Sequence, residues 1–146
     1  MTIKLSTALR NKMLDTGSLK SIFAAGFLKL YAGALPADAD AAVTGTLLCT
    51  ISVNSSGTGI NFAAAAVAGA LAKASGEVWS GTNAATGTAT YFRHVAAGDT
   101  GVLSTTEARI QGSVGTSGAD LNLSNTALTN GATQTIDYYT AALPTL

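Results

Sequence analysis

His94 is the only histidine in this chain of 146 residues, so any histidine-based acid, base or metal site would have to form around it. It lies in the run from Thr90 to Val95, where the alternation of a strand puts its ring on the same face as Phe92. This setting is typical of a hydrogen-bonded structural or interface histidine. We therefore predict a structural role for His94 and no catalytic one.

Cys49 is the only cysteine, which excludes an internal disulfide and a zinc site built from several cysteines. It alternates with Leu47, Ile51 and Val53, the pattern of a half-buried strand. A small, soft side chain in such a run packs as a hydrophobe. The sequence thus predicts a buried, unreactive thiol.

The remaining motifs fall short of catalytic patterns. The segment Gly112-Ser113-Val114-Gly115 has one residue too few between its glycines for a nucleophile elbow. The pair Asp38-x-Asp40, which follows Pro36, fits a solvated turn, with a weak cation site at a subunit interface as the alternative. We predict a non-enzymatic protein with no catalytic residue, no cofactor and no metal.

Short strand-like segments separated by turn residues make up most of the chain. Their number and spacing predict a mainly β protein, a single β-sandwich of jelly-roll or immunoglobulin-like type over residues 27–146. The predicted strands are 27–32, 47–53, 77–80, 88–95, 108–114, 120–123 and 133–143.

A short helical arm is predicted to precede this domain, over residues 1–26. Ser6 is a suitable N-cap, and apolar residues recur at helical spacing until Gly17 ends the pattern. A second helical piece is predicted from Ser18 to Ala25.

The segment 62–75 allows two structures. Its run of alanines has high helix propensity, apart from Gly69. A glycine between two apolar halves also fits two strands joined by a tight turn, which is the structure we favour.

Charge is distributed unevenly along the chain. Five of the eight cations lie in the first 29 residues, whereas seven of the eight acids follow them. The first segment lacks interleaved aromatic residues for stacking on bases, which argues against nucleic-acid binding. We predict instead that it docks on the acidic body of a neighbouring subunit. The candidate interface residues are Lys4, Arg10, Lys12, Lys20, Tyr138 and Tyr139.

Charged residues form only 11% of the chain, and its formal net charge is zero. Such a surface repels its own copies weakly, which favours association. No stretch reaches the length of a membrane span, and residues 1–5 do not begin a signal peptide. The sequence predicts a soluble protein made in a cytoplasm that forms homo-oligomers and does not enter a membrane.

The chain resembles the small virion structural proteins of tailed bacteriophages. The segments that carry this resemblance are 30–33 leading into Pro36, 77–81 (Glu-Val-Trp-Ser-Gly), 87–93, 109–112 (Arg-Ile-Gln-Gly) and 119–121. The resemblance covers most of the chain and includes no catalytic motif.

The resemblance implies a subunit of the phage particle, made in the host bacterial cytoplasm and located in the virion. A head decoration (cement) protein or a head–tail neck protein is favoured over a tail component. The alternative is a tail or baseplate component whose β-sandwich binds a receptor or carbohydrate. Its partners would be its own copies and other capsid, neck or tail proteins.

Overall fold

The structure is a computed structural model that describes residues 3–143. Strands form 39% of the chain and helices 9%, so the predicted mainly β, sandwich-like fold with a short N-terminal helix is confirmed. The helices are α1 (Thr7–Asp15) and α2 (Leu19–Ile22). The strands are β1 (Lys4–Leu5), β2 (Phe27–Ala32), β3 (Thr46–Val53), β4 (Ala70–Ala72), β5 (Trp79–Thr82), β6 (Gly87–Thr88), β7 (Tyr91–Val95), β8 (Arg109–Gly115), β9 (Leu121–Asn122), β10 (Ala127–Leu128), β11 (Thr133–Ile136) and β12 (Thr140–Ala142).

One large sheet organises the molecule, in the order β1-β8-β7-β2-β3-β5-β11. All pairs along this path are antiparallel, and β9 adds a short parallel pairing to β8. Two small sheets, β4 with β12 and β6 with β10, contribute Leu71 and Leu128 to the same core as the large sheet. The core therefore lies between the large sheet and the short strands that cover it.

The central strands β2, β7 and β8 have two chemically different faces. The register aligns Leu28, His94 and Ile110 on the core face. Because side chains alternate along a strand, Arg93 and Gln111 point to the opposite face. That face is buried as well, under the β2–β3 and β7–β8 loops.

The N-terminal segment packs on the sheet of its own chain. Strand β1 pairs with β8, and α1 begins after Ser6, whose Oγ accepts a hydrogen bond from the Leu9 N–H. The side chains of Leu9 and Phe23 are fully buried in the common core. The helix predicted after Ser6 is confirmed, and the segment forms part of the folded body.

Residues 62–75 fold back in a tight turn, as predicted, but only the second half forms a strand, β4, and the first half pairs through isolated bridges at Phe62 and Val67. Ala68 and Gly69 both have positive φ angles, 51° and 76°, and Val67 and Ala70 exchange two backbone hydrogen bonds across them. This is the geometry of a two-residue hairpin turn. A helix would satisfy the same backbone groups locally, so tertiary contacts outweigh the helix propensity of the alanines: β4 pairs with β12, and Leu71 is buried in the common core.

Two predicted strands are divided in the structure. The segment 88–95 forms β6 and β7, because the Ala89 N–H turns to the carbonyl of Thr126 and the Thr90 N–H turns to that of Tyr31. The segment 133–143 forms β11 and β12, which pair with different strands.

Candidate interaction surfaces

An open apolar groove of about 780 Å³ lies between the two ends of the described chain. The N-terminal segment supplies one wall with Leu5, Met13 and Leu19, and the C-terminal strand supplies another with Ala141 and Leu143. These segments are far apart in sequence. Both are held at the β8 side of the large sheet, where Ile110 also lines the groove.

Large apolar side chains are exposed along the rim of this groove. Ile3 is 48% exposed, Leu143 66% and Tyr138 91%. Exposed apolar side chains beside an apolar groove are unfavourable in water, which makes this a candidate interaction surface. We refer below to this feature as the groove; it is lined by Ile3, Leu5, Met13, Leu19, Phe92, Ile110 and residues 120–122 and 138–143.

Asp120 fixes the outer edge of β8 beside the groove. Its Oδ2 accepts hydrogen bonds from the Ser113 N–H at 2.9 Å and the Ser113 Oγ–H at 2.8 Å. The side chain thus occupies the gap that β1 and β9 leave along β8. This contact holds β9, and with it Leu121, against the groove.

The two candidate interface tyrosines have different surroundings. Tyr138 lies on the groove rim and is exposed, whereas Tyr139 is buried in the core. The Tyr139 hydroxyl lies 3.2 Å from Nδ1 of His94. Of the two, only Tyr138 exposes its ring to solvent, although Tyr139 also lines the groove.

The candidate interface cations all lie on the surface of the N-terminal segment. Arg10, Lys12 and Lys20 are exposed, and Lys4 is partly exposed. The Lys4 amine donates to the carbonyl of Ala37 and the Lys20 amine to that of Ala64. Lys12 adjoins Met13 of the groove wall, and its interface role stays a prediction.

His94 is a core residue, as predicted. Its ring packs among Phe23, Phe62, Trp79 and Tyr139 at centroid distances of 4.6 to 6.1 Å. Burial lowers the pKa of His94 to about 3, so the ring is neutral at physiological pH. A neutral ring enclosed by aromatics is a packing element with one polar contact.

Cys49 has the buried position that the sequence predicts, whereas of the Asp38-x-Asp40 pair only Asp38 lies in an exposed turn and Asp40 is half-buried. Cys49 is fully buried, and burial raises the pKa of its thiol to about 11. The carboxylate of Asp38 accepts from the Ala41 N–H within its turn. Asp40 accepts from both the N–H and the hydroxyl of Thr7 at the start of α1.

A buried polar layer on the far face of the sheet was missed in the sequence. Arg93 and Arg109 are fully buried. The Arg93 Nε donates to Gln111 Oε1 at 2.7 Å, and one terminal nitrogen donates to the carbonyl of Ala41. Long polar side chains in otherwise apolar strands, Arg93 in 92–95 and Arg109 and Gln111 in 109–111, were the signal for it.

Arg109 holds the β7–β8 loop against the sheet. Its guanidinium pairs with the carboxylates of Asp99, at 2.5 Å, and Glu107. The same group donates to the carbonyl of Val102 at 2.7 Å. One side chain therefore fixes three points of the loop. These bonds offset the free-energy cost of burying the charged guanidinium away from water.

No protein-family model, curated protein sequence or solved structure matches this chain. Among residues 3–143, no group of three or more His, Cys, Asp or Glu side chains is placed to hold a metal ion. In the described part of the chain, no helix has both the length and the apolar character needed to cross a bilayer. The positive features are the groove and the loop fixed by Arg109.

Proposed function

We propose that this chain is a structural subunit of a bacteriophage virion, a head decoration (cement) or head–tail neck protein that works through contacts between subunits. The observation that carries the proposal is the groove, with Ile3, Tyr138 and Leu143 exposed on its rim. Groove and rim together offer the apolar centre that subunit interfaces use.

The chemistry of the whole surface supports the same proposal. A chain with few charges and zero formal net charge repels its own copies weakly. Repeated weak apolar contacts become strong when many copies engage together. The resemblance of the sequence to small phage virion proteins agrees with a subunit of this kind.

Tyr138 favours a second candidate, a tail or baseplate component that binds a receptor or carbohydrate. Its ring is 91% exposed, and the exposed carboxylate of Asp137 is its neighbour in sequence. An exposed aromatic ring beside a carboxylate suits the apolar face and hydroxyl groups of a sugar. In this case the groove would bind a glycan instead of a protein subunit.

Fractionation of phage particles tests the proposal. An antibody against the purified chain is used to probe gradient-purified particles from the culture that carries the gene. The particles are probed before and after a wash in 1 M salt, where the Debye length is about 3 Å and electrostatic attachment is screened. We expect the chain in a fixed ratio to the major capsid protein, retained through the wash and located by immunogold at the head or neck. Label at the tail tip would support the second candidate, and a chain absent from particles would contradict both.

A further inference from the structure

Strand β11 is the last strand at one end of the large sheet. It pairs with β5 on its inner side, and among residues 3–143 no other strand pairs with its outer side. Unpaired backbone N–H and C=O groups at the edge of a sheet form a template for another extended chain. We refer to the outer side of β11 as the open edge.

The two threonines of β11, Thr133 and Thr135, direct their backbone groups to the open edge. Just after β5, the Asn83 N–H donates toward β11, to the carbonyl that precedes this strand. Backbone groups of successive residues point to opposite edges of a strand, so Gly81 also bonds toward β11, where Gln134 is its partner. The residues on either side of Gln134 therefore direct their N–H and C=O groups outward.

These outward groups are accessible to a partner. Thr133 and Thr135 are both exposed. The Gln134 Nε2 donates to the carbonyl of Thr135 at 2.9 Å, and this bond lies at the surface. The N–H of an added strand replaces this side-chain donor without leaving a buried group unpaired.

The open edge lacks the features by which natural proteins prevent edge pairing, which are charged residues, prolines and bulges. The sequence of β11 is Thr-Gln-Thr-Ile, and its register with β5 is regular. The opposite end of the sheet differs, because β1 has two residues, includes Lys4 and is followed at once by α1. The sheet is therefore protected at the β1 end and open at the β11 end.

The open edge is complementary to itself in one antiparallel register. With Thr135 opposite Thr135 of a second copy, the two threonines exchange both backbone hydrogen bonds about a two-fold axis. Thr133 then lies opposite Asp137 of the second copy, so a hydroxyl donor meets a carboxylate acceptor. The two Asp137 carboxylates are four residues apart, or about 14 Å, which exceeds the Debye length of about 8 Å at physiological ionic strength.

We propose that two copies of this chain pair through β11, edge to edge and antiparallel, with Thr135 at the two-fold axis. Any extended chain matches the backbone groups, but a second copy also places threonine opposite threonine and brings no like charges together. The contact is isologous, so it closes as a dimer. This inference rests on the proposed function and deepens it by naming the partner and the strand that binds it.

Disulfide cross-linking tests the register. In Thr135→Cys the two thiols flank the axis, with Cα atoms about 5.5 Å apart, a separation that a disulfide spans. Thr133→Cys is the matched control, because its two copies lie about 14 Å apart, and the native Cys49 is fully buried. After mild oxidation, we expect at least about ten times more covalent dimer from Thr135→Cys than from Thr133→Cys. Equal cross-linking of the two variants would contradict the register.

Sedimentation velocity tests the contribution of the backbone. Thr135→Pro removes an outward N–H and leaves the bonds between β11 and β5, so the fold is expected to persist. Thr135→Val keeps the N–H and replaces the hydroxyl alone. We expect dimers of the wild type and of Thr135→Val, and a dissociation constant about 30-fold higher for Thr135→Pro, since each copy loses one hydrogen bond.

A second variant keeps this test decisive if Thr135→Pro fails to fold, which thermal unfolding detects. Thr135→Lys keeps every backbone group but opposes two like charges at the axis, so it should be monomeric. A monomeric wild type would overturn the inference, as would a folded Thr135→Pro or Thr135→Lys that dimerises as the wild type does.

The outcomes separate this inference from the proposed function. A chain that is found in purified particles but is monomeric after purification retains its virion role and loses the β11 contact. A chain that dimerises through β11 but is absent from particles retains the contact and loses the virion role.

Discussion

At the scale of single residues, burial decides what the chemically versatile side chains do. The imidazole of His94 and the thiol of Cys49 are both enclosed by the core. Desolvation shifts each pKa in the direction that keeps the group neutral, down for His94 and up for Cys49. Both groups are neutral at physiological pH and are enclosed by the core.

His94 makes the stability of the fold depend on pH. The pKa of His94 is about 3 in the folded chain, against roughly 6.5 for an unfolded histidine. Below about pH 6.5, the unfolded chain binds a proton that the folded chain does not. The free energy of unfolding therefore decreases as the pH is lowered. We expect a loss of about 2 kcal/mol between pH 7 and pH 5, before the carboxylates titrate.

Urea titration followed by the fluorescence of Trp79 measures this loss, since Trp79 is the only tryptophan and packs beside His94. His94→Phe is the control. It removes the only histidine, so its stability should stay level over the same pH range. A wild type equally stable at pH 7 and pH 5 would show that the folded chain protonates His94 as readily as the unfolded chain does, so its pKa is not lowered.

At the scale of elements, Ser6 joins α1 to the large sheet. Its Oγ accepts from the Leu9 N–H as the N-cap and from the Arg109 N–H at 2.9 Å, and it donates to the carbonyl of Glu107. Ser18 caps α2 in the same way but at an exposed position. Ser6 thus both caps a helix and bonds to β8, whereas Ser18 only caps a helix. Comparing the two serines distinguishes the stability due to capping from that due to attachment to the sheet.

We expect Ser6→Ala to lower the free energy of unfolding by about 2–4 kcal/mol. A lost cap contributes about 1 kcal/mol of this, and the buried Arg109 N–H left unpaired contributes the rest. Ser18→Ala should cost about 1 kcal/mol or less, because water replaces the cap. Urea unfolding compares the two variants, and equal losses would mean that the contact between Ser6 and Arg109 adds no stability.

At the scale of the whole molecule, the N-terminal segment belongs to the fold and also carries the exposed cations. It supplies the fully buried Leu9 and Phe23 to the core and β1 to the sheet. Removing it therefore alters folding and assembly together. Its predicted contact with the acidic body of a neighbouring subunit has to be tested by changing charges alone.

We expect deletion of residues 1–26 to abolish cooperative unfolding. The loss of two large core side chains costs about 5–10 kcal/mol, which is comparable to the whole stability of a typical domain. Calorimetry measures the transition. The matched control, Lys12→Gln with Lys20→Gln, should unfold within about 0.5 kcal/mol of the wild type. A cooperative transition in the deleted chain would make the segment a separable arm.

Several features of the molecule follow from local sequence alone. The N-cap at Ser6 and the strands predicted at 27–32 and 47–53 are repeated in the structure almost residue for residue. The predicted alternation of 47–53 holds only in part: Cys49 and Ile51 are buried, but Leu47 is 37% exposed and Leu48 is buried, because the register with β2 shifts there. Capping and side-chain alternation depend on neighbours within a few residues, so they are readable before the fold is known. The mainly β class and the burial of Cys49 and His94 come from the same local patterns.

Tertiary structure alone decided where the interaction surfaces lie. The groove exists because four side chains of the N-terminal segment meet residues 138–143 beside β8, and the β7–β8 loop is fixed because Arg109 reaches Asp99, Val102 and Glu107. It also decided that Tyr138 is exposed while Tyr139 is buried. Sequence periodicity tells which side chains share a face of one strand, but the pairing of distant strands determines what covers that face.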